Sequence, residues 1–319
     1  MINRKVCVVT GSRAEYGLFY PVLLKIKESS KLQLQLITTS SHHSCQHGYT
    51  FKEIESDGFI IDEKIDNLIL SDTKSSIVKS TGLLTALLSD SFEKLKPDIV
   101  LLLGDRYETH AAATSALLMN IPIAHIHGGE ITEGAVDEQI RHAITKMSYL
   151  HFCSTETYRQ RIIQMGEEPD RVFNVGAPGI DNIMNLNLLS KNTLEEELGW
   201  IFSANSALFT YHPVTLIETD MENDLDIILA ILNESNLNIL FTYSNADAGG
   251  RIISQKIEEF CKLQPDKYKV VKNLGQLKYL TAMKHVDLLI GNSSSGIIEA
   301  ASFKKPVVNI GDRQKGRLR

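Results

Sequence analysis

PDIVLLLGD (residues 97–105) followed by IPIAHIHGG (121–129) is echoed late in the chain by VDLLIGNSSSG (286–296) followed by KPVVNIGD (305–312). Each pair reads as strand, polar loop, helix, proline-led strand and glycine-rich loop. A run such as IVLLL is apolar at every position, so it suits a strand covered by helices on both faces, the environment of a parallel sheet. The polar loops then fall at the carboxyl ends of strands, where open α/β sheets bind ligands.

Outward from these pairs, short β-branched runs alternate with longer amphipathic stretches. They lie at 5–10, 32–38, 99–103, 123–127, 150–154 and 172–175, and again at 207–211, 239–242, 268–271, 287–290 and 306–309. Such alternation signals parallel strands joined by crossover helices. It falters through 185–206, which places a boundary between an N-terminal domain, 1–185, and a C-terminal domain, 186–319. With one copy of the echo in each half, the expected fold is α/β: two Rossmann-like, doubly wound domains facing a cleft. A length of 319 residues agrees, since it exceeds what one core usually supports and fits two units of roughly 150 residues.

Hydrophobic residues make up 43% and charged residues 23%, a globular and not a disordered composition. The net charge is -6 and no Lys/Arg run could form a polyanion-binding stripe, so nucleic acid is not an expected partner. The N-terminus enters a strand-like run without a signal segment, and no apolar run reaches the ~18 residues that span a bilayer. Action in the cytosol, with no membrane partner, is expected. The four cysteines, Cys7, Cys45, Cys153 and Cys261, are too far apart for a zinc or redox motif and read as reduced thiols.

The chemistry-bearing residues concentrate in the loops. GSRAEYG (11–17) follows the first strand and opens a helix, so its amides and Arg13 can hold an anion. The plain alternative is a helix cap beside a surface arginine. GNSSSG (291–296) repeats the arrangement with Ser293, Ser294 and Ser295 as a phosphate cradle, or else as ordinary capping serines. Glu299, one turn on, can accept hydrogen bonds from two sugar hydroxyls or stand as a solvated helix-face glutamate, and Arg313 in GDRQKGR can reach the same diphosphate. GDR (104–106) puts Asp105 and Arg106 at a strand end, where a carboxylate is partly desolvated.

In HIHGGEITEGAVDE (125–138), Gly128 and Gly129 allow close backbone approach while Glu130 and Asp137 supply carboxylates for proton transfer. Arg141 and His142, one turn beyond Asp137, orient it or bind the sugar, or form a structural ion pair. A zinc site built from His125, His127 and Glu130 is set aside because the two imidazoles are expected to point apart, so no metal is expected. His212 in YHP, Asn245 and Asp247 in YSNADAGG, and His42 with His43 end further strands. A lone histidine there is more often structural than catalytic, and the recurrence of polar loops at one sheet edge brings the ligand reading level with the structural one.

GSRAEYG, GDRYE, HIHGGE, DEQIRHAITKMS, HP, GNSSSG and GDRQKGR, in this order and over nearly the whole chain, resemble the hydrolysing UDP-N-acetylglucosamine 2-epimerases of bacterial sialic-acid biosynthesis. The resemblance implies a glycosyltransferase-B-like fold, a homodimer or homotetramer, and conversion of UDP-N-acetylglucosamine and water to N-acetylmannosamine and UDP. It implies diphosphate and uridine contacts for Arg13, Ser293, Ser294 and Arg313, a ribose contact for Glu299, leaving-group stabilisation by His212, and catalytic carboxylates at Asp105, Glu130 and Asp137. Around these, His42, Arg106, His127, Arg141, Asn245 and Ser295 are expected to line the substrate. Two departures stand out. Some relatives carry Glu at the position of His127, as HIEGGE. Relatives also continue past the position of Arg319 with further helices, so the C-terminal domain is expected to be truncated.

The hydrogen on sugar carbon 2 has no neighbouring carbonyl to acidify it, so it leaves only as the anomeric bond to UDP breaks. The resulting glycal takes water at carbon 1 and a proton on the other face of carbon 2, which requires two acid–base groups. Nothing is oxidised, so no cofactor is expected. One alternative is the same reaction on UDP-2,4-diacetamido-2,4,6-trideoxyglucose, used in legionaminic-acid pathways. A non-hydrolysing epimerase and an inactive nucleotide-sugar sensor are the others.

Overall fold

The computed structural model describes residues 3–71, 73–133, 135–213, 221–244 and 249–318. The chain divides into two compact units, Met1–Ile131 with Val136–Asn182, and Thr132–Ala135 with Ile183–Arg319. In the first unit the strands are β1 (Arg4–Thr10), β2 (Leu32–Thr39), β3 (Glu63–Ile65), β4 (Ile99–Leu103), β5 (Ile123–Ile126), β6 (Leu150–Cys153) and β7 (Val172–Asn174). They form one parallel sheet in the order β3-β2-β1-β4-β5-β6-β7. Alternate residues of β4 enter different cores: Val100 and Leu102 pack with Leu88 and Phe92, whereas Leu101 and Leu103 pack with Phe19 and Leu23. That two-sided cover is why IVLLL carries no polar position.

The second unit holds β8 (Ser206–Thr210), β9 (Asn238–Thr242), β10 (Tyr268–Val271), β11 (Leu288–Gly291) and β12 (Val307–Asn309), parallel in the order β10-β9-β8-β11-β12. Its sheet is likewise covered on both faces, Phe209 and Phe241 on one and Leu208 and Leu240 on the other.

The sequence echo has a structural basis. Asp98 Oδ2 accepts from the Lys5 N–H at 2.7 Å, and Asp287 Oδ2 accepts from the Ser206 N–H at 2.8 Å, so each aspartate ties the start of its strand to the neighbouring first strand. The carbonyls of Pro122 and Pro306 accept from Val100 and Leu289 at 2.9 and 3.0 Å, so each proline opens a strand at the point where no N–H of its own is needed. Strand order reverses between β1 and β4, and between β8 and β11, and these are the switch points where doubly wound sheets hold ligands.

Two features differ from expectation. The strand expected over 123–127 ends at Ile126, and His127 leaves the ladder with φ 66°. A single domain boundary also fails to anticipate that Thr132–Ala135 joins the second unit, where the Glu133 N–H donates to the Lys315 carbonyl at 3.0 Å. No helix among the described residues is long and apolar enough to cross a membrane.

Candidate functional site

At the first switch point, Ser12 caps the helix Arg13–Glu28, and its hydroxyl accepts from the Glu15 N–H. Arg13 is half-buried at the start of that helix. The Gly11 N–H is already taken by Glu15 Oε2 at 2.7 Å, and the Thr109 hydroxyl donates to Glu15 Oε1 at 2.8 Å. Burial, then the charge of Glu108, push the Glu15 carboxyl up to about 7. Arg106 donates to both oxygens of the buried Glu108, at 3.1 and 3.2 Å, which fixes its guanidinium. Sequence reasoning missed both glutamates, although each stands in a quoted motif.

His42 is engaged by side chains at both ring nitrogens. It is fully buried, with Nδ1 2.8 Å from the Thr50 hydroxyl and Nε2 3.1 Å from that of Thr10, and burial with His43 nearby lowers its pKa to about 3. It therefore stays neutral and supports the loop beyond β1. Similarly, His43 is tied to Thr38 at the end of β2.

The loops after β4 and β5 gather the acid–base residues. Arg141, wholly buried in the helix Asp137–Met147, bonds the Asp105 carboxylate through Nη2 and the Glu130 carbonyl through Nη1 at 2.8 Å. Burial alone would lower the Arg141 pKa, but the charges of Asp105, Glu130 and Asp137 outweigh it and raise it. Glu130 Oε1 lies 2.5 Å from His127 Nδ1 and accepts from Ser154 at 3.1 Å. Asp137 is half-buried in the first turn of the same helix as Arg141, and His142 lies 3.9 Å from Glu138.

Strand alternation by itself does not separate His125 from His127. Residues 125 and 127 of an unbroken strand would share a face. They part only because His127 turns out of the sheet. His125 stays beneath it, with Nε2 2.7 Å from the Gly104 carbonyl and Nδ1 3.3 Å from Thr145, and burial lowers its pKa to about 3. Among the described residues no group of three or more His, Cys, Asp or Glu side chains is placed to hold a metal ion.

At the second switch point Asn292 organises the loops. It is fully buried; its Oδ1 accepts from the His212 N–H at 2.7 Å and its Nδ2 donates to the His212 carbonyl at 2.8 Å. Its own carbonyl accepts from Arg313 at 3.2 Å and from Gln314 at 2.9 Å. His212 Nδ1 is 3.3 Å from the Ser244 hydroxyl. The buried Arg313 Nε has no hydrogen-bond partner among the described residues. Gly291, at φ 138°, lies flat on β8, where an added Cβ would sit 1.9 Å from the Thr210 carbonyl oxygen.

Ser295 Oγ is 2.5 Å from the Tyr279 hydroxyl and 3.1 Å from Ser293 Oγ, while Ser294 and Glu299 are half-buried beside them. Burial, then the charge of Glu299, push Tyr279 up to about 12, so it remains a hydroxyl donor. The helix expected after GNSSSG is only Ser295–Ile298, followed by a 3-10 turn, so the cradle depends on hydroxyls and not on a helix dipole. Asn292 and Tyr279 were not singled out from sequence, although Asn292 stands within the GNSSSG motif. Asn245 and Asp247 lie outside the described residues.

Two parallel, doubly wound units with polar loops collected at their switch points define a glycosyltransferase-B-like protein. Solved structures share this fold: UDP-GlcNAc 2-epimerase from Neisseria meningitidis bound to UDP-GlcNAc has a TM-score of 0.78 at 19% identity, covering 97% of this chain and 83% of that one. The Methanocaldococcus jannaschii enzyme in complex with UDP-GlcNAc and UDP has a TM-score of 0.77 at 19% identity, covering 97% and 84%.

Sequence gives the family. Residues 24–319 match the family UDP-N-acetylglucosamine 2-epimerase. The chain is 45% identical over 320 residues to the GDP/UDP-N,N'-diacetylbacillosamine 2-epimerase (hydrolyzing) of Campylobacter jejuni, covering 100% of this chain and 83% of the relative. It is 40% identical over 318 residues to polysialic acid biosynthesis protein P7 of Escherichia coli, covering 99% and 81%. It is 39% identical over 316 residues to the UDP-N,N'-diacetylbacillosamine 2-epimerase (hydrolyzing) of Legionella pneumophila, covering 99% and 83%. The chain belongs to the UDP-N-acetylglucosamine 2-epimerase family.

Proposed function

We propose that the chain is a hydrolysing 2-epimerase of a UDP-amino sugar. The observation that carries this is the acid–base array after β4 and β5: Asp105 on the buried Arg141, Glu130 on His127, and Asp137 one turn from Arg141. Elimination across carbons 1 and 2 of the sugar needs a proton acceptor in the same step that breaks the anomeric bond. Readdition on the other face needs a second group. The second unit supplies the leaving-group side, with the hydroxyls of Ser293, Ser294 and Ser295, the cation of Arg313, Glu299 for the ribose, and His212 clamped by Asn292. Arg13 adds a further cation for the diphosphate, and Arg106 a contact to the sugar. Preorganised donors of this kind contribute roughly 3–4 kcal/mol each at a developing charge, so several together are required. Cytosolic action as a homodimer or homotetramer belongs to the same proposal.

Of the two candidate sugars, the 2,4-diacetamido compound is favoured over UDP-N-acetylglucosamine. The relatives at 45% and 39% identity are named for diacetylbacillosamine, whereas the Neisseria meningitidis serogroup B relative named for UDP-N-acetylglucosamine is 32% identical. The test is turnover of each UDP-sugar in heavy water, following UDP release and the proton spectrum of the free sugar. A manno-configured product with one deuterium at carbon 2 is expected. A gluco-configured product without deuterium would mean plain hydrolysis and would end the assignment, and the ratio of kcat/KM for the two sugars decides the substrate.

A further inference from the structure

His127 stands in a left-handed conformation, φ 66°, that residues bearing a side chain rarely adopt. The backbone there is held on both sides. The His127 N–H donates to the Phe152 carbonyl at 3.0 Å, and Gly129 is packed so closely that an added Cβ would lie 2.6 Å from the Tyr158 carbonyl oxygen. The turn lifts the imidazole away from the sheet and sets Nδ1 against Glu130 Oε1 at 2.5 Å, with side-chain exposures of only 9% and 4%. Glu130 is anchored in turn by Ser154 on the same oxygen and by Arg141 on its carbonyl. His127 Nε2 makes no hydrogen bond among the described residues and is not sealed from solvent.

A carboxylate on Nδ1 selects the tautomer with its proton there and leaves the Nε2 lone pair facing outward, the arrangement in which an imidazole acts as a base. We propose that His127 Nε2 is the base of the elimination step and that Glu130 is its positioning partner, not itself the group that takes the proton. This rests on the epimerase function proposed above. Nε2 takes the carbon 2 hydrogen as a proton, the C–H electron pair becomes the C1=C2 bond, and the C1–O pair leaves with the diphosphate. Glu130 stabilises the imidazolium that forms. The proton that later returns to carbon 2 comes from a different group, because removal on one face and delivery on the other need an acceptor and a donor on opposite sides of the carbon.

The experiment compares His127→Gln, His127→Glu and Glu130→Gln with the unmodified chain, reading kcat, KM, UDP affinity, melting temperature and solvent deuterium at carbon 2. His127→Gln should lose at least ~100-fold in kcat with UDP affinity held within about twofold, as expected for removal of a general base. His127→Glu, which restores a proton acceptor, should recover at least about tenfold of that loss. Glu130→Gln should cost less than His127→Gln, because an amide oxygen still accepts from Nδ1. If His127→Gln melts early, His127→Asn replaces it, since Asn tolerates the left-handed backbone better. A His127→Gln chain within about threefold of the original kcat would overturn the inference, as would a Glu130→Gln loss larger than that of His127→Gln. If the unmodified chain itself releases no manno sugar, the epimerase function fails, and that outcome is separate from failure of the dyad alone.

Discussion

Replacing Arg141 by Met keeps most of the apolar stem and removes the guanidinium that holds the two acid–base loops together. Arg141 is 0% exposed, with Nη1 on the Glu130 carbonyl and Nη2 on the Asp105 carboxylate. Hydrogen bonds to charged groups contribute about 1.5–3 kcal/mol each, and breaking one partner of a buried pair costs roughly 3–5 kcal/mol. Asp105 retains 22% of its side-chain surface, so water takes over part of its lost contact and the lower end applies, about 3 kcal/mol. For a unit of this size that is a fall in Tm of about 6–12 °C. Scanning calorimetry of the first unit's transition measures it, with UDP titration as a control on the second unit. Arg141→Lys, which keeps the charge but loses the fork, should fall between the two. A Tm for Arg141→Met within about 2 °C of the original would mean that the Asp105–Arg141–Glu130 link carries little of the stability.

Gly129→Ala should destabilise the first unit by roughly 2–4 kcal/mol, combining left-handed strain with overpacking against the Tyr158 carbonyl, which lies 2.6 Å from the added Cβ. An unchanged urea midpoint would count against this. Glu15, raised in the folded chain from the ordinary 4.5 to about 7, binds its proton more tightly folded than unfolded. The stability this confers is complete below pH 4.5 and is lost as pH rises through about 7, amounting to about 3 kcal/mol. Glu15→Gln mimics the protonated form, so stability curves taken from pH 4.5 to 8 should show the original chain weakening relative to the variant. Parallel curves would refute it.

Much of this molecule was legible in the residues alone. The runs 99–103 and 268–271 coincide with β4 and β10, and the other expected strands lie within a residue or so of those observed; the clearest signal is the central β4, buried on both faces and therefore apolar throughout. The echo of PDIVLLLGD by VDLLIGNSSSG was equally readable, since equivalent aspartates and prolines perform the same backbone tasks in both units. By contrast, β3 is the three-residue edge strand EKI, too short and too polar to show a period. Tertiary structure alone decided which polar loop residues are tied up by other side chains. His42 and His43 look alike in sequence, yet the first is sealed between Thr10, 32 positions before it, and Thr50, 8 positions after it. The pairing of His127 with Glu130 depends on the positive φ of His127 and of Gly129 just beyond β5, and that of Asp105 with Arg141 on two segments 36 positions apart. Hydrophobic periodicity records which face is buried, but a hydrogen bond between distant loops leaves no period in the chain, so it exists only once the sheet has brought the loops together.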